Sequence, residues 1–171
     1  MTRSSMLAIP ERAETAPSKP YRVLFVCTGN TCRSPMAAAL FYDMMVRERG
    51  EDSFAVSSAG LYAAEGAPIS PHAAEALAGA GVKETAQNHY RAHRARMVRE
   101  ELIDEADEVV AISGSHAMEL LMRYPMHTAK ITALPFDIPD PFGGDIAVYR
   151  DCLDALAHAI RLKWSLGEGE A

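Results

Sequence analysis

The chain has 171 residues and a mass of 18.6 kDa, enough for one domain whose core needs no disulfide or metal staple. It is 49% hydrophobic, 23% charged and 7% aromatic, which excludes a disordered, collagen-like or disulfide-knit chain. Its net charge of −6 sets nucleic-acid binding aside, and its apolar runs are too short to cross a membrane.

Residues 1–20 mix Pro, Ser, Thr and charges without periodicity and are expected to form a flexible extension. They show no apolar secretory core, so a cytoplasmic protein is expected. A strand is predicted over Arg22–Val26, followed by the turn Cys27-Thr-Gly-Asn-Thr-Cys-Arg-Ser34. Ser34-Pro35 then reads as a helix cap with proline in the first turn. Ala37, Leu40, Phe41, Met44 and Met45 give that helix an apolar stripe, and Gly50 stops it.

The alternation continues. Phe54–Ser58 is a predicted strand, and Ser70-Pro71 opens a helix with Ala74, Leu77 and Ala78 inward. Val98–Glu105 reads as a short helix and Glu108–Ile112 as a strand. A helix over Ser115–Arg123 is expected to turn Met118, Leu121 and Met122 to the core, as apolar filling. Lys130–Leu134 is the fourth strand. A last helix over Asp145–Leu166 aligns Tyr149, Leu153, Leu156, Ile160 and Trp164, leaving a tail at 167–171. Strands alternating with helices imply an α/β domain over 21–166, with a parallel sheet covered on both faces.

The turn after the first strand carries the chemistry. Ligands of open α/β sheets bind beyond the carboxyl ends of the strands. Gly29 and Asn30 adopt left-handed backbone at low cost, so the loop can curl its N–H groups into an anion nest at a helix start. Cys27 at the strand end then becomes a nucleophile with a depressed pKa, and Ser34 can donate to its sulfur. Arg33 can clamp two phosphate oxygens. Nucleophile, nest and clamp describe phosphoryl transfer through a cysteinyl-phosphate.

The run Val26-Cys-Thr-Gly-Asn-Thr-Cys-Arg-Ser-Pro-Met36 strongly resembles the signature of the low-molecular-weight protein tyrosine phosphatase family. Ser57-Ser-Ala-Gly60, Ala92-His-Arg-Ala-Arg96 and Asp140-Pro-Phe-Gly-Gly144 match in order, so the resemblance spans Arg22 to Trp164. It implies a four-stranded parallel sheet of flavodoxin-like topology, catalysis without metal or cofactor, and a phosphorylated protein as substrate. It assigns Thr28, Gly29, Asn30, Thr31, Cys32, Arg33 and Ser34 to phosphate binding and Asp140 to acid–base work. Asn30, Ser34, Ser58 and His93 are the implied braces of the loop, with His89 a rival for His93. Asp137 is left as a turn or support residue, and Asp145 as the cap of the last helix.

Thr31 and Phe142 bring the sequence closest to the bacterial protein arginine phosphatase branch. A phosphoguanidinium is polar and partly cationic, which suits the Thr31 hydroxyl and the three Asp of residues 137–145. Phosphotyrosine is the alternative substrate. Arsenate reduction and phosphate binding without turnover are more distant ones, since Cys152 sits beside Leu153 on the last helix, where burial is expected. Cys32 is a candidate disulfide partner for Cys27 under oxidation. His72, His116, His127 and His158 show no metal spacing. The basic segment from Lys83 to Arg99 reads as a solvated surface or as a guide for a phosphorylated partner. No membrane partner is expected, and the chain is expected to act as a monomer or weak dimer.

Overall fold

The computed structural model describes residues 19–167, so nearly all of the expected extension and tail lies outside the described residues. Four parallel strands form one sheet: β1 (Tyr21–Cys27), β2 (Phe54–Gly60), β3 (Glu108–Ala111) and β4 (Ile131–Ala133). Their order is β2-β1-β3-β4, so chain direction across the sheet reverses at β1. That reversal opens a crevice beyond the carboxyl end of β1, and Cys27 is its last residue.

Helices α1 (Arg33–Arg49), α2 (Pro71–Gly79) and α5 (Ile146–Trp164) cover one face. Helices α3 (Glu100–Glu105) and α4 (Gly114–Arg123) cover the other. β1 is buried on both sides: Val23 and Phe25 enter the first core, Leu24 and Val26 the second. This explains why its sequence is continuously apolar rather than alternating. Phe25, Phe41 and Trp164 pack as a tilted aromatic group, with Phe41 and Trp164 centroids 4.6 Å apart.

Three expectations need correction. The residue capping α1 is Cys32, not Ser34, so Arg33 is the first helical residue. The Ser34 hydroxyl is occupied elsewhere, and Pro35 still lies in the first turn, where an N–H lacks an intrahelical partner anyway. The apolar face of α4 centres on the buried Leu120, with Ala117 and Leu121 beside it, while Met118 and Met122 are 67% and 79% exposed. Met118 and Met122 share one face of the helix four residues apart, but the face that meets the sheet is the neighbouring one of Ala117, Leu120 and Leu121. Met45 of α1 is buried as expected. Ala78 is exposed; Ala73, Ala74, Ala76 and Leu77 make the inner face of α2. Asp145 caps α5 as expected, its Oδ1 accepting from the Val148 amide at 3.1 Å. Among the described residues no helix is long and apolar enough to cross a membrane.

Candidate active site

Cys27, Thr28, Gly29, Asn30, Thr31, Cys32 and Arg33 line a cleft of about 170 Å³ together with Asp140 and Phe142. The loop curls because Asn30 takes a left-handed conformation, φ 57°. It is held from behind by main chain: the amides of Leu61 and Tyr62 donate to the carbonyls of Cys27 and Thr28, each at 2.9 Å. Ser70 N–H donates to the Thr31 carbonyl, also at 2.9 Å. Gly60 makes this approach possible, since a Cβ there would lie 2.5 Å from the Thr28 carbonyl oxygen.

Asn30 is the central brace and is fully buried. Its Nδ2 donates to Ser34 Oγ at 2.8 Å and to Ser58 Oγ at 2.9 Å. Its Oδ1 accepts from the Arg96 amide at 3.0 Å. Its carbonyl accepts from His93 Nε2 at 2.7 Å. His93, rather than His89, therefore reaches the loop; His89 lies against Glu84 at 3.6 Å.

The Ser34 hydroxyl, which accepts from Asn30, lies 2.9 Å from Cys27 Sγ and 3.5 Å from the Ala59 carbonyl, and its contact to the sulfur favours the thiolate. The Asn30 amide adds a 3.4 Å contact to the same sulfur. The sulfur nevertheless belongs to a residue only 2% exposed. Burial pushes the Cys27 thiol up, and this outweighs the lowering by Ser34, Asn30 and the Arg33 charge. The depressed pKa expected from the sequence is thus corrected. The dipoles and charge act in the expected direction, but that reading left out desolvation of the sulfur. Ser34→Ala removes one lowering contact, so alkylation of Cys27 by iodoacetamide at neutral pH should slow and its rise shift to higher pH. An unchanged alkylation profile would count against the Ser34 contact.

Arg33 leaves the first turn of α1 and is almost buried. Its Nη1 donates to the Ile138 carbonyl at 3.0 Å, and its Nη2 lies 3.7 Å from Asp140 Oδ2. These contacts tie the anion loop to the segment carrying the acid. Asp140 is half exposed, and its Oδ1 accepts from the Phe142 amide at 3.1 Å. Phe142 itself is 78% exposed at the mouth. Asp137 acts as a support: its Oδ1 accepts from the Gly114 amide at the start of α4, 2.9 Å away.

Cys32 is buried under the loop, its sulfur 3.3 Å from the Tyr149 hydroxyl. That hydroxyl accepts from Ser70 Oγ at 3.1 Å and so donates its own proton to Cys32. Cys152 is buried on α5 as expected, and burial pushes its thiol up to about 12. All three cysteines are free.

One residue went unrecognised in the sequence. His116, buried in the first turn of α4, lies with Nε2 2.9 Å from Thr28 Oγ1 and Nδ1 2.8 Å from Ser113 Oγ. Arg33 Nη2 donates to the same Thr28 Oγ1 at 3.5 Å, so the threonine links the clamp to the imidazole. Burial and the Arg33 charge push His116 down to about 4, which keeps it neutral. Its place, just past a strand end in an α/β sheet, was the available signal. Among the described residues no group of three His, Cys, Asp or Glu side chains is set to hold a metal.

The family model for low molecular weight phosphotyrosine protein phosphatase matches residues 22–164. A protein-arginine-phosphatase of Geobacillus stearothermophilus is 41% identical over 144 residues, covering 80% of this chain and 89% of that one. The solved YwlE arginine phosphatase from Geobacillus stearothermophilus superposes with a TM-score of 0.72, covering 86% of this chain and 93% of that one. A YwlE arginine phosphatase with cysteine mutated to serine, solved with a phosphorylated active-site serine, is 34% identical with a TM-score of 0.73, over 87% and 97% of the two chains. This chain belongs to the low molecular weight phosphotyrosine protein phosphatase family and is a protein phosphatase.

Proposed function

We propose that the chain hydrolyses phosphoarginine in proteins, with Cys27 as nucleophile, Arg33 as oxyanion clamp and Asp140 as acid and base. The observation that carries the substrate is Thr31 at the cleft, beside Asp140 and Phe142, in a chain so like a named arginine phosphatase. A phosphotyrosine ring is best served by apolar walls. Here it would meet a hydroxyl, a carboxylate and one exposed ring. The guanidinium of phosphoarginine can instead lie between the Asp140 carboxylate and the face of Phe142.

A thiol on Cys27 and a phosphoryl dianion hold one proton between them. Passing that proton to the phosphoryl group leaves thiolate and monoanion at the same total charge, which answers the raised pKa of the buried sulfur. Sulfur then attacks phosphorus in line while the P–N bond breaks, and the Asp140 carboxyl gives its proton to the departing nitrogen. The loop amides and Arg33 hold the equatorial oxygens as charge spreads over them. In the second step water attacks phosphorus and the S–P bond breaks. The Asp140 carboxylate takes the water proton, and Cys27 leaves as thiolate.

The test compares kcat/KM on a phosphoarginine peptide and on a phosphotyrosine peptide. Phosphoarginine should be favoured by about tenfold or more, and Thr31→Ile should narrow that ratio by about tenfold. A preference for phosphotyrosine would keep the mechanism and overturn the substrate.

The same loop supplies a redox brake, working in a reducing cytosol on a monomeric or weakly dimeric enzyme. Peroxide converts the Cys27 thiolate to a sulfenic acid, and the Cys32 thiol displaces water to form a disulfide. Inactivation by peroxide should therefore be reversed by dithiothreitol and accompanied by a Cys27–Cys32 bridge in peptide mapping. Irreversible loss with no bridge would contradict it.

A further inference from the structure

The basic segment between Lys83 and Arg99 is only partly neutralised by its neighbours. Arg91 reaches Glu84 Oε1 at 3.9 Å, but among the described residues neither Arg94 nor Arg96 forms an ion pair. Both line a cavity of about 270 Å³ bounded by α1, the middle of β2 and residues 87–96. Ser57, Ser58, Asn88 and His93 also line it, and among the described residues no Asp or Glu does. Arg96 is half-buried, its Nε donating to the Ser58 carbonyl at 3.1 Å, which leaves its terminal nitrogens unassigned. Burial and the charge of Arg99 push its pKa down, outweighing the opposite pull of Glu105 and Glu65. Among the described residues Arg94 spends Nη1 alone, on the His93 carbonyl at 3.1 Å.

Two arginines and two histidines, His89 and His93, on the lining of a cavity that no carboxylate of the described residues lines offer the donor set of a phosphoryl anion. The cavity also lies directly behind the catalytic loop. His93 and Arg96, which line it, hold the carbonyl and the Oδ1 of Asn30, and Ser58 receives the Asn30 side-chain amide.

We propose that this cavity is a second phosphoryl-anion site, distinct from the cleft of Cys27, and that its occupancy is felt at Asn30. Product phosphate is its ready occupant. Reaction raises phosphate next to the enzyme, so the site couples product level to the loop that performs the chemistry, with reciprocal effects on affinity. Attraction between half-exposed charges makes binding weaken as salt rises.

The test is a titration with inorganic phosphate followed by backbone amide NMR, and it requires no turnover. The wild-type chain should show two binding isotherms, one at Cys27–Ser34 and one at Arg94 and Arg96. Arg94→Gln should weaken the second by about tenfold and leave the first. In Arg33→Ala the first should disappear while phosphate still shifts Arg94, Arg96 and Asn30. An O-phosphoserine arm separates sources: matching shifts mean that the site also takes a phosphorylated side chain, and their absence means free phosphate alone. A single isotherm in the wild-type chain, confined to Cys27–Ser34, overturns the proposal. So does a second isotherm that Arg94→Gln leaves unchanged, and so does a titration of Arg33→Ala in which Asn30 stays still.

Discussion

Cys27→Ser is expected to lower kcat by about four orders of magnitude or more while phosphate binding changes little. The side chain contacting the sulfur is the Ser34 hydroxyl, joined by the Asn30 amide, and neither is a base able to take a proton from a serine. A serine oxygen therefore stays protonated and attacks poorly. Should it be phosphorylated, the second step must expel an alkoxide, a far worse leaving group than a thiolate. The amide nest and Arg33 remain, so competitive inhibition by phosphate should stay within a few-fold of the parent value. Loss of both turnover and phosphate binding would point to a collapsed loop, and retained turnover would remove Cys27 from its role.

Arg33→Lys is the second large effect, a fall in kcat/KM of about a hundredfold or more with kcat carrying much of it. Arg33 makes three directional contacts at once, to Ile138, Thr28 and Asp140. An ammonium keeps the charge but cannot span two equatorial phosphate oxygens while holding Ile138. The neutral His116 behind Thr28 adds no charge to compensate. A rise in KM alone, with kcat intact, would reduce Arg33 to ground-state attraction.

Most of the fold was legible because β1 and α5 carry strong, unambiguous periods. The buried run Val23–Val26 and the face Tyr149, Leu153, Leu156 and Ile160 appear in the structure as read. Strand ends were less legible: β2 runs on to Gly60 because Cys27 pairs with Gly60, a long-range register that local pattern does not encode. The cap of α1 was misplaced by one convincing local signal, Ser34-Pro35, since the sequence does not reveal that the Ser34 hydroxyl serves Cys27 and Asn30. The same blindness to distant partners hid His116, whose side-chain hydrogen bonds among the described residues go to Thr28 across the chain and to Ser113. The pKa of Cys27 was misread because charge and dipoles can be counted along a sequence, whereas burial has to be seen. Cys27, Arg33 and Asp140, by contrast, do meet in one cleft, although Asp140 lies more than a hundred residues from Cys27.

The most direct test is to catch the covalent intermediate. Rapid acid quench of the enzyme turning over p-nitrophenyl phosphate, followed by peptide mapping, reads which atom carries the phosphoryl group. That substrate needs no proton to leave, so Asp140→Ala should spare the first step and slow the second. The expected result is a phosphoryl group on Cys27, accumulating to a higher fraction in Asp140→Ala than in the parent. Turnover that continues with no phosphoryl group on Cys27 in either protein would contradict the two-step cysteine mechanism outright.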